Sequence, residues 1–265
     1  MSNTTTNALR EKQSLRLTIR NTLTMAYRAL LRIRRTPEKL VDVFLLPVVF
    51  TLLFTYMFGG AISGDVQDYL PHVIPGMLVQ AVLVMSVMTG VQMREDMDTG
   101  VFDRFKSLPI ARIAPLAGAL ITDTLRYAIA SGLTLTISYF MGYRPEGGIG
   151  YVLLAALLVI GCAWAISWIF ALIGVIARSA SSVQGMSMIV FPLTFMSNAF
   201  VPTETMSDTL QWFVSINPIT YLVTAIRDLM NAGTIGWDFT ITVVAAVVIV
   251  LVFAPLTVRA YMKRV

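Results

Sequence analysis

The chain has 265 residues, of which 56% are hydrophobic and only 13% charged, and its net charge is +5. Soluble domains carry about 25% charged residues, and the mean hydropathy here is +0.74, so a soluble enzyme is excluded and an integral membrane protein is expected. Nucleic-acid binding would need basic residues clustered on a water-exposed face, whereas here they are distributed by membrane side. The single cysteine, Cys162, and single histidine, His72, exclude a disulfide framework and HExxH or CxxC metal chemistry. Cys162 reads as a small buried side chain, and His72 as an interfacial residue in a loop.

Residues 1–14 are polar and read as a disordered cytoplasmic tail, with no cleavable signal expected. Next, Leu15, Ile19, Leu23, Ala26, Leu30 and Ile33 recur at spacings of three and four, while Arg16, Arg20, Arg28, Arg32 and Arg35 fall elsewhere on the circumference. Residues 15–35 are therefore an amphipathic helix lying in the membrane interface. The alternative is a solvated helix packed on a protein partner. Thr36-Pro37 reads as an N-cap followed by a first-turn proline. It opens a first span over 38–58, with Glu38, Lys39 and Asp42 at its entrance. A short loop, AISGDVQDY, precedes a second span over 73–92.

The segment 94–112 holds eight charges between two apolar runs: Arg94, Glu95, Asp96, Asp98, Asp103, Arg104, Lys106 and Arg112. The third span covers 113–143, the fourth 151–176 and the fifth 186–200, with ARSASSVQG a turn before the last of these. Residues 201–236 differ. Pro202 breaks the fifth span, Ser207-Asp208 caps a short helix over 209–215, and Asn217-Pro218 starts another that ends at Asn231-Ala232-Gly233. Each piece is too short to cross about 30 Å of hydrocarbon. A re-entrant helical hairpin is expected, with a surface loop carrying one amphipathic helix as the alternative. The sixth span covers 239–258, and a tail with Arg259, Lys263 and Arg264 follows.

The expected fold class is thus an all-α integral membrane protein of six transmembrane helices, an N-terminal interfacial helix and a re-entrant hairpin before the last helix, with a transmembrane domain over 38–260. Six spans put both ends on one side. Seventeen of the twenty Lys and Arg residues fall on the side of the termini and of 94–112, against Arg144 and Arg227 opposite and Arg126 within the third span. Both termini are therefore expected in the cytoplasm.

Several constellations could carry chemistry. Asp96-Met97-Asp98 forms a DxD, and Glu95 and Asp98 are paired carboxylates, but no nucleotide-binding fold, nucleophile or second histidine accompanies them. No GxxxxGK[ST], HRD or DFG stretch is present, so the chain is not itself expected to be an enzyme, and ATP-driven work would need another polypeptide. Asp123 and Arg126 lie three residues apart inside the third span. They either form an ion pair locking helices or contact a substrate or proton. Ala114, Gly118 and Thr122, then Ala128, Gly132 and Thr136, give that span a ladder of small residues suited to close helix–helix or subunit contact. The 15 methionines and 14 phenylalanines are mostly packing and lipid-facing residues, with a subset available to line an adaptable binding surface.

The order of elements is a basic interfacial helix, a charged segment after the second span and an NP-containing hairpin before the sixth. The motifs are Gly100-Val101-Phe102-Asp103-Arg104-Phe105-Lys106-Ser107-Leu108-Pro109-Ile110 and Asn217-Pro218-Ile219-Thr220-Tyr221, continuing to Arg227. Together these resemble the membrane subunit of ABC type-2 exporters (ABC-2 permeases), in their daunorubicin-resistance, DrrB-like branch, over residues 15–260. The resemblance implies the ABC type-2 exporter fold. It makes 94–112 the coupling segment, with Glu95, Asp96, Asp98, Gly100, Asp103, Arg104 and Lys106 docking on a separate ATP-binding subunit that the N-terminal helix also touches. The hairpin, with Asn217, Pro218, Tyr221 and Arg227, would lie on the outer side. Two permeases, taken as identical copies, and two ATPases would make the working unit, with substrate passing along spans one, two and five. ATP and Mg would bind the partner, and no cofactor this chain. The expected function is export of an amphipathic or hydrophobic small molecule of antibiotic type across the plasma membrane. A polysaccharide or lipid exporter of the same family, and a proton-coupled six-span carrier using Asp123 and Arg126, are the alternatives.

Overall fold

The computed structural model describes residues 24, 37–100 and 113–264, and every regular element among them is helical. The tail 1–14, the amphipathic helix expected over 15–35 (Thr24 apart), and Asp103, Arg104 and Lys106 lie outside the described residues.

The first helix, α1 (Pro37–Ser63), begins at the proline that the sequence marks as a helix start. The loop expected before the second span shrinks to a two-residue turn, Gly64-Asp65. Gly64 takes a φ of +78°, which a side chain would strain, and the Asp65 carboxylate caps the next helix by accepting from Val66 N at 2.6 Å. That helix, α2 (Val66–Asp98), runs 33 residues through Pro71 and Pro75, so His72 sits inside a helix and not in a loop. Proline lacks an N–H, so Pro75 cannot satisfy the Pro71 carbonyl within the helix. The Asn231 amide donates to it instead, at 2.8 Å. A breaker read locally as loop is thus carried inside a helix by a partner 160 residues away.

At 1.5 Å per residue α2 is about 50 Å long, well beyond the ~30 Å hydrocarbon thickness, so part of it must project from the membrane. It is the central element, packing against α1, against α3 (Ala114–Phe140) and against α4 (Gly148–Ile176), with 83% of its apolar window buried. The crossing of α2 and α4 is backbone-tight. A Cβ on Gly90 would stand 2.4 Å from the Phe170 carbonyl oxygen, and one on Gly174 2.3 Å from that of Gly90.

The expected fifth span is broken. Ser179 caps α5 (Ala180–Ser187), accepting from Ser182 N at 3.2 Å, so helix starts within the stretch expected to be a turn. After a turn at Met188-Ile189 comes α6 (Val190–Phe195). Two short helices follow, α7 (Asp208–Ile216) and α8 (Pro218–Arg227), the latter ending in a π-helical turn, Asp228–Ala232. The final helix, α9 (Trp237–Arg264), packs on α4 and α8 but buries only 11% of its apolar window, so a broad valine and leucine face is exposed. Three helices among the described residues, α2, α4 and α9, are both long and apolar enough to cross a bilayer. Cys162 is buried on α4 without a disulfide partner.

Candidate functional site

Three groups of residues singled out by the sequence fall at three levels along α2. The first is its charged end. Arg94 pairs with Asp98 one turn on, and its Nη1 donates to the Ala177 carbonyl at the end of α4 at 2.9 Å. Arg264 of α9 reaches the neighbouring Ile176 carbonyl at 3.2 Å. Two cations therefore serve the exposed carbonyls at a helix C-terminus, where the dipole favours positive charge. The C-terminal ends of α2, α4 and α9 are thereby drawn to one end of the bundle. Gln92 donates to Asp96 at 3.0 Å, while Glu95 and Asp98 are exposed. The chain turns at Thr99-Gly100, which puts these charges at the tip of α2, within reach of another surface.

Midway along α2 lies the Asp123–Arg126 pair. Arg126 Nη1 donates to Asp123 Oδ1 at 2.9 Å, and Thr89 of α2 donates to Oδ2 at 2.7 Å. The Thr89 hydroxyl is also 3.1 Å from the hydroxyl of Tyr127, a fully buried side chain. The i, i+3 spacing made the pair legible. Its tie to α2 through Thr89 and Tyr127 was not, because neither hydroxyl stands out in an apolar sequence. Burying two charges is repaid only when the remaining valences are also satisfied, and Thr89 satisfies the second carboxylate oxygen. Of the small-residue ladder on the same helix, Ala114, Gly118 and Thr122 are buried in the bundle, whereas Ala128, Gly132 and Thr136 are exposed.

Arg126 also borders a partly open pocket of about 620 Å³ between α1, α2 and α3. Phe50, Met77, Gln80, Met85 and Met88 line it, so the wall is apolar, flexible and rich in thioether. Phe50 begins a stack along α1 through Phe54 and Phe58, and Phe54 lies 4.7 Å from the Phe200 ring beyond α6. This aromatic row joins the pocket wall to the broken fifth segment.

At the far end is a polar clamp. Asn217 caps α8 by accepting from Ile219 N at 3.0 Å, and its amide donates to the Leu193 and Met196 carbonyls at 2.7 and 2.8 Å. It thus satisfies carbonyls freed at the end of α6. Pro218 occupies the first turn of α8, and the Tyr221 hydroxyl donates to the Ser215 carbonyl at 2.7 Å. Arg227 reaches further, donating from Nη2 to the His72 carbonyl at 3.0 Å and to that of Asn198 at 2.8 Å. It therefore ties α2, the end of the broken segment and α8 together. Replacing Arg227 by methionine removes two charge-assisted bonds, and we expect a loss of about 2–3 kcal/mol. A fall of several degrees in the Tm of the purified protein is the measurement.

These features accompany clear similarity to known proteins. A family model described as ABC-2 type transporter matches residues 20–231. The chain is 44% identical over 245 residues, 92% of its length and 86% of the relative's, to the "Daunorubicin resistance ABC transporter permease protein DrrB1" of Streptomyces coeruleorubidus. It is 20% identical over 225 residues, 84% of its length and 82% of the relative's, to the "Probable doxorubicin resistance ABC transporter permease protein DrrC" of Mycobacterium tuberculosis. The "Doxorubicin resistance ABC transporter permease protein DrrB" of the same organism is 27% identical over 132 residues, half of this chain and 46% of its own.

Proposed function

Because the chain belongs to the ABC-2 type transporter family, we propose that it is the permease of a plasma-membrane exporter that moves an amphipathic or hydrophobic drug-like molecule outward. As a member of that family it is a multi-pass permease subunit and not itself the catalyst, and the ABC transporter assignment implies an ATPase partner. In the working unit two copies of this chain stand beside two ATPase subunits, which carry the ATP and Mg. The chain crosses the membrane six times, the broken α5–α6 segment supplying the fifth crossing and α7–α8 a re-entrant hairpin on the outer side. Both termini and the segment 94–112 are cytoplasmic, in keeping with the bias of Lys and Arg toward that side.

One observation carries the mechanism. A single continuous helix, α2, runs from the contact with Arg227, past the methionine-lined pocket, to the charged end at Arg94–Asp98. A movement imposed on that end by a closing ATPase is delivered along a rigid rod to the pocket wall and to the clamp beyond it. Charge pairs in a partly buried dock are worth up to about 4 kcal/mol each at close contact, enough to bias a two-state permease. In this reading Glu95, Asp96, Asp98, Gly100, Asp103, Arg104 and Lys106 form the docking face, and the Asp123–Arg126 pair fixes α3 against α2.

The test is charge reversal within this docking face. Glu95→Lys combined with Arg104→Glu is expected to abolish co-purification with the ATPase while the permease stays folded and in the membrane. Retention of both ATPase association and transport in that variant would refute the docking assignment.

A further inference from the structure

Near the charged end of α2, two arginines grip neighbouring carbonyls of one short connection. Arg264 of α9 holds the carbonyl of Ile176, the last residue of α4. Arg94 of α2 holds the carbonyl of the next residue, Ala177. The chain leaves the helix at that point: Ala177 is extended (φ −61°, ψ 159°), so is Ser179 (φ −152°, ψ 159°), and α5 begins at Ala180. With the helix ended, neither carbonyl has its usual amide one turn on. Residues 177–179 therefore form a joint between α4 and the broken fifth segment, with one cation on either side of it.

The tip of α2 is placed to move this joint. Gly90 and Gly174 bring α2 and α4 together backbone to backbone, with no side chain between them, and Arg94 lies about 6 Å further along α2. Tilting α2 about that crossing swings Arg94, and with it the Ala177 carbonyl. The start of α5 also rests on α2, since Val183 is fully buried and a Cβ on Gly90 would stand 3.1 Å from its Cγ1. Arg94 meanwhile holds the exposed Asp98 carboxylate through Nε, at 3.0 Å, and through Nη2. One guanidinium thus links the tip of α2 to the joint, which the single ammonium of a lysine would do less completely.

We propose that Arg94 is a positioning residue that turns α5 against α4 at this joint when the ATPase moves the tip of α2, while Arg264 fixes the α4 side. The inference rests on the ATPase-driven export reading and adds to it a second route for the movement, from the cytoplasmic end of α2 into the fifth segment. Beyond α5, α6 carries Phe195, 5.9 Å from the Phe54 ring of α1, so the turn reaches the aromatic row beside the pocket.

The test uses the purified permease–ATPase complex in proteoliposomes with daunorubicin, and reads ATPase co-purification, ATP hydrolysis and drug moved per ATP. A Ser181→Cys substitution at an exposed position of α5, in a Cys162→Ser background, reports movement through its thiol-labelling rate with and without vanadate trapping. The rate should differ between the two states when residue 94 is arginine. Arg94→Gln leaves Asp98 exposed for the ATPase, so association and hydrolysis should persist. Drug moved per ATP should fall on the order of tenfold, the effect of one charge-assisted hydrogen bond, and the labelling rate should become the same in both states. Arg264→Gln, which frees the α4 side, should lower the same ratio and blunt the labelling change. Arg94→Lys should recover part of both, and it carries the test if the glutamine variant does not fold: coupling equal to wild type in it would overturn the proposal. Variants that lose only thermal stability would also overturn it and leave the two arginines as caps of α4. Loss of ATPase co-purification in Arg94→Gln would overturn it too, since Arg94 would then be a docking residue. Wild-type transport without the Arg94 pattern defeats only this inference, whereas no ATP-dependent transport by wild type defeats the export reading beneath it.

Discussion

Replacing Asp123 by leucine is expected to cost about 3–5 kcal/mol, because it strands a buried cation with no counter-charge. The loss comes from Arg126 more than from the missing carboxylate. Arg126 would lose its 2.9 Å bond to Oδ1, and Thr89 would lose the acceptor it reaches at 2.7 Å. Most of the variant should be degraded or fail to extract as a monodisperse species. Adding Arg126→Met should restore much of the folded yield, because two apolar residues of similar volume replace the pair without leaving a charge unmet. The double variant then separates two roles. If folding and efflux both return, the pair only holds α3 against α2. If folding returns and efflux does not, Arg126 also serves the cargo. Size-exclusion profiles and efflux rates of the single and double variants give the answer directly.

The second large effect is expected at the crossing of α2 and α4. Gly90→Val would drive a branched side chain into the Phe170 carbonyl, since even the first added carbon would stand 2.4 Å away. Gly174 allows no retreat, because its own Cβ position lies 2.3 Å from the Gly90 oxygen. Backbone sits on both sides, so the helices must separate. Overpacking of this kind costs about 1–3 kcal/mol in a core that can adjust, and the upper end is expected here. Gly90 lies four residues before Arg94, which bonds the end of α4. The separation should therefore also break that contact and uncouple ATPase activity from drug. Thermal denaturation of the Gly90→Ala and Gly90→Val series should show a graded loss, with the alanine variant intermediate.

Local signals marked some elements well. Pro37 starts α1, Asn217-Pro218 starts α8, and the Asp123–Arg126 spacing corresponds to a true ion pair. Each of these depends on residues within one helical turn. What was hidden depends on distant partners. The stretch 59–72 reads as a loop because of its glycines and prolines, yet it is helical to Ser63 and again from Val66. Asn231 supplies the bond that Pro75 cannot. The fifth span reads as one apolar run, but a turn divides it into α5 and α6. Arg227 reads as a hairpin residue, and its reach to His72 and Asn198 follows only from the folded bundle. The pocket was the least visible feature, since Gln80 and the methionines differ in no local pattern from their apolar neighbours. At Gly132 the small-residue ladder on α3 meets no other helix among the described residues, because a Cβ added there would meet nothing within 4 Å.

The central claim is that this chain exports a drug-like molecule with energy delivered by a separate ATPase. The most direct measurement places the purified permease and its ATPase in proteoliposomes and follows daunorubicin, the compound for which the Streptomyces relative is named. The account predicts transport that requires ATP and the ATPase subunit, stops with vanadate and continues when a protonophore collapses the proton gradient. Transport by the permease alone that follows the proton gradient and ignores vanadate would contradict it and favour a carrier built around Asp123 and Arg126.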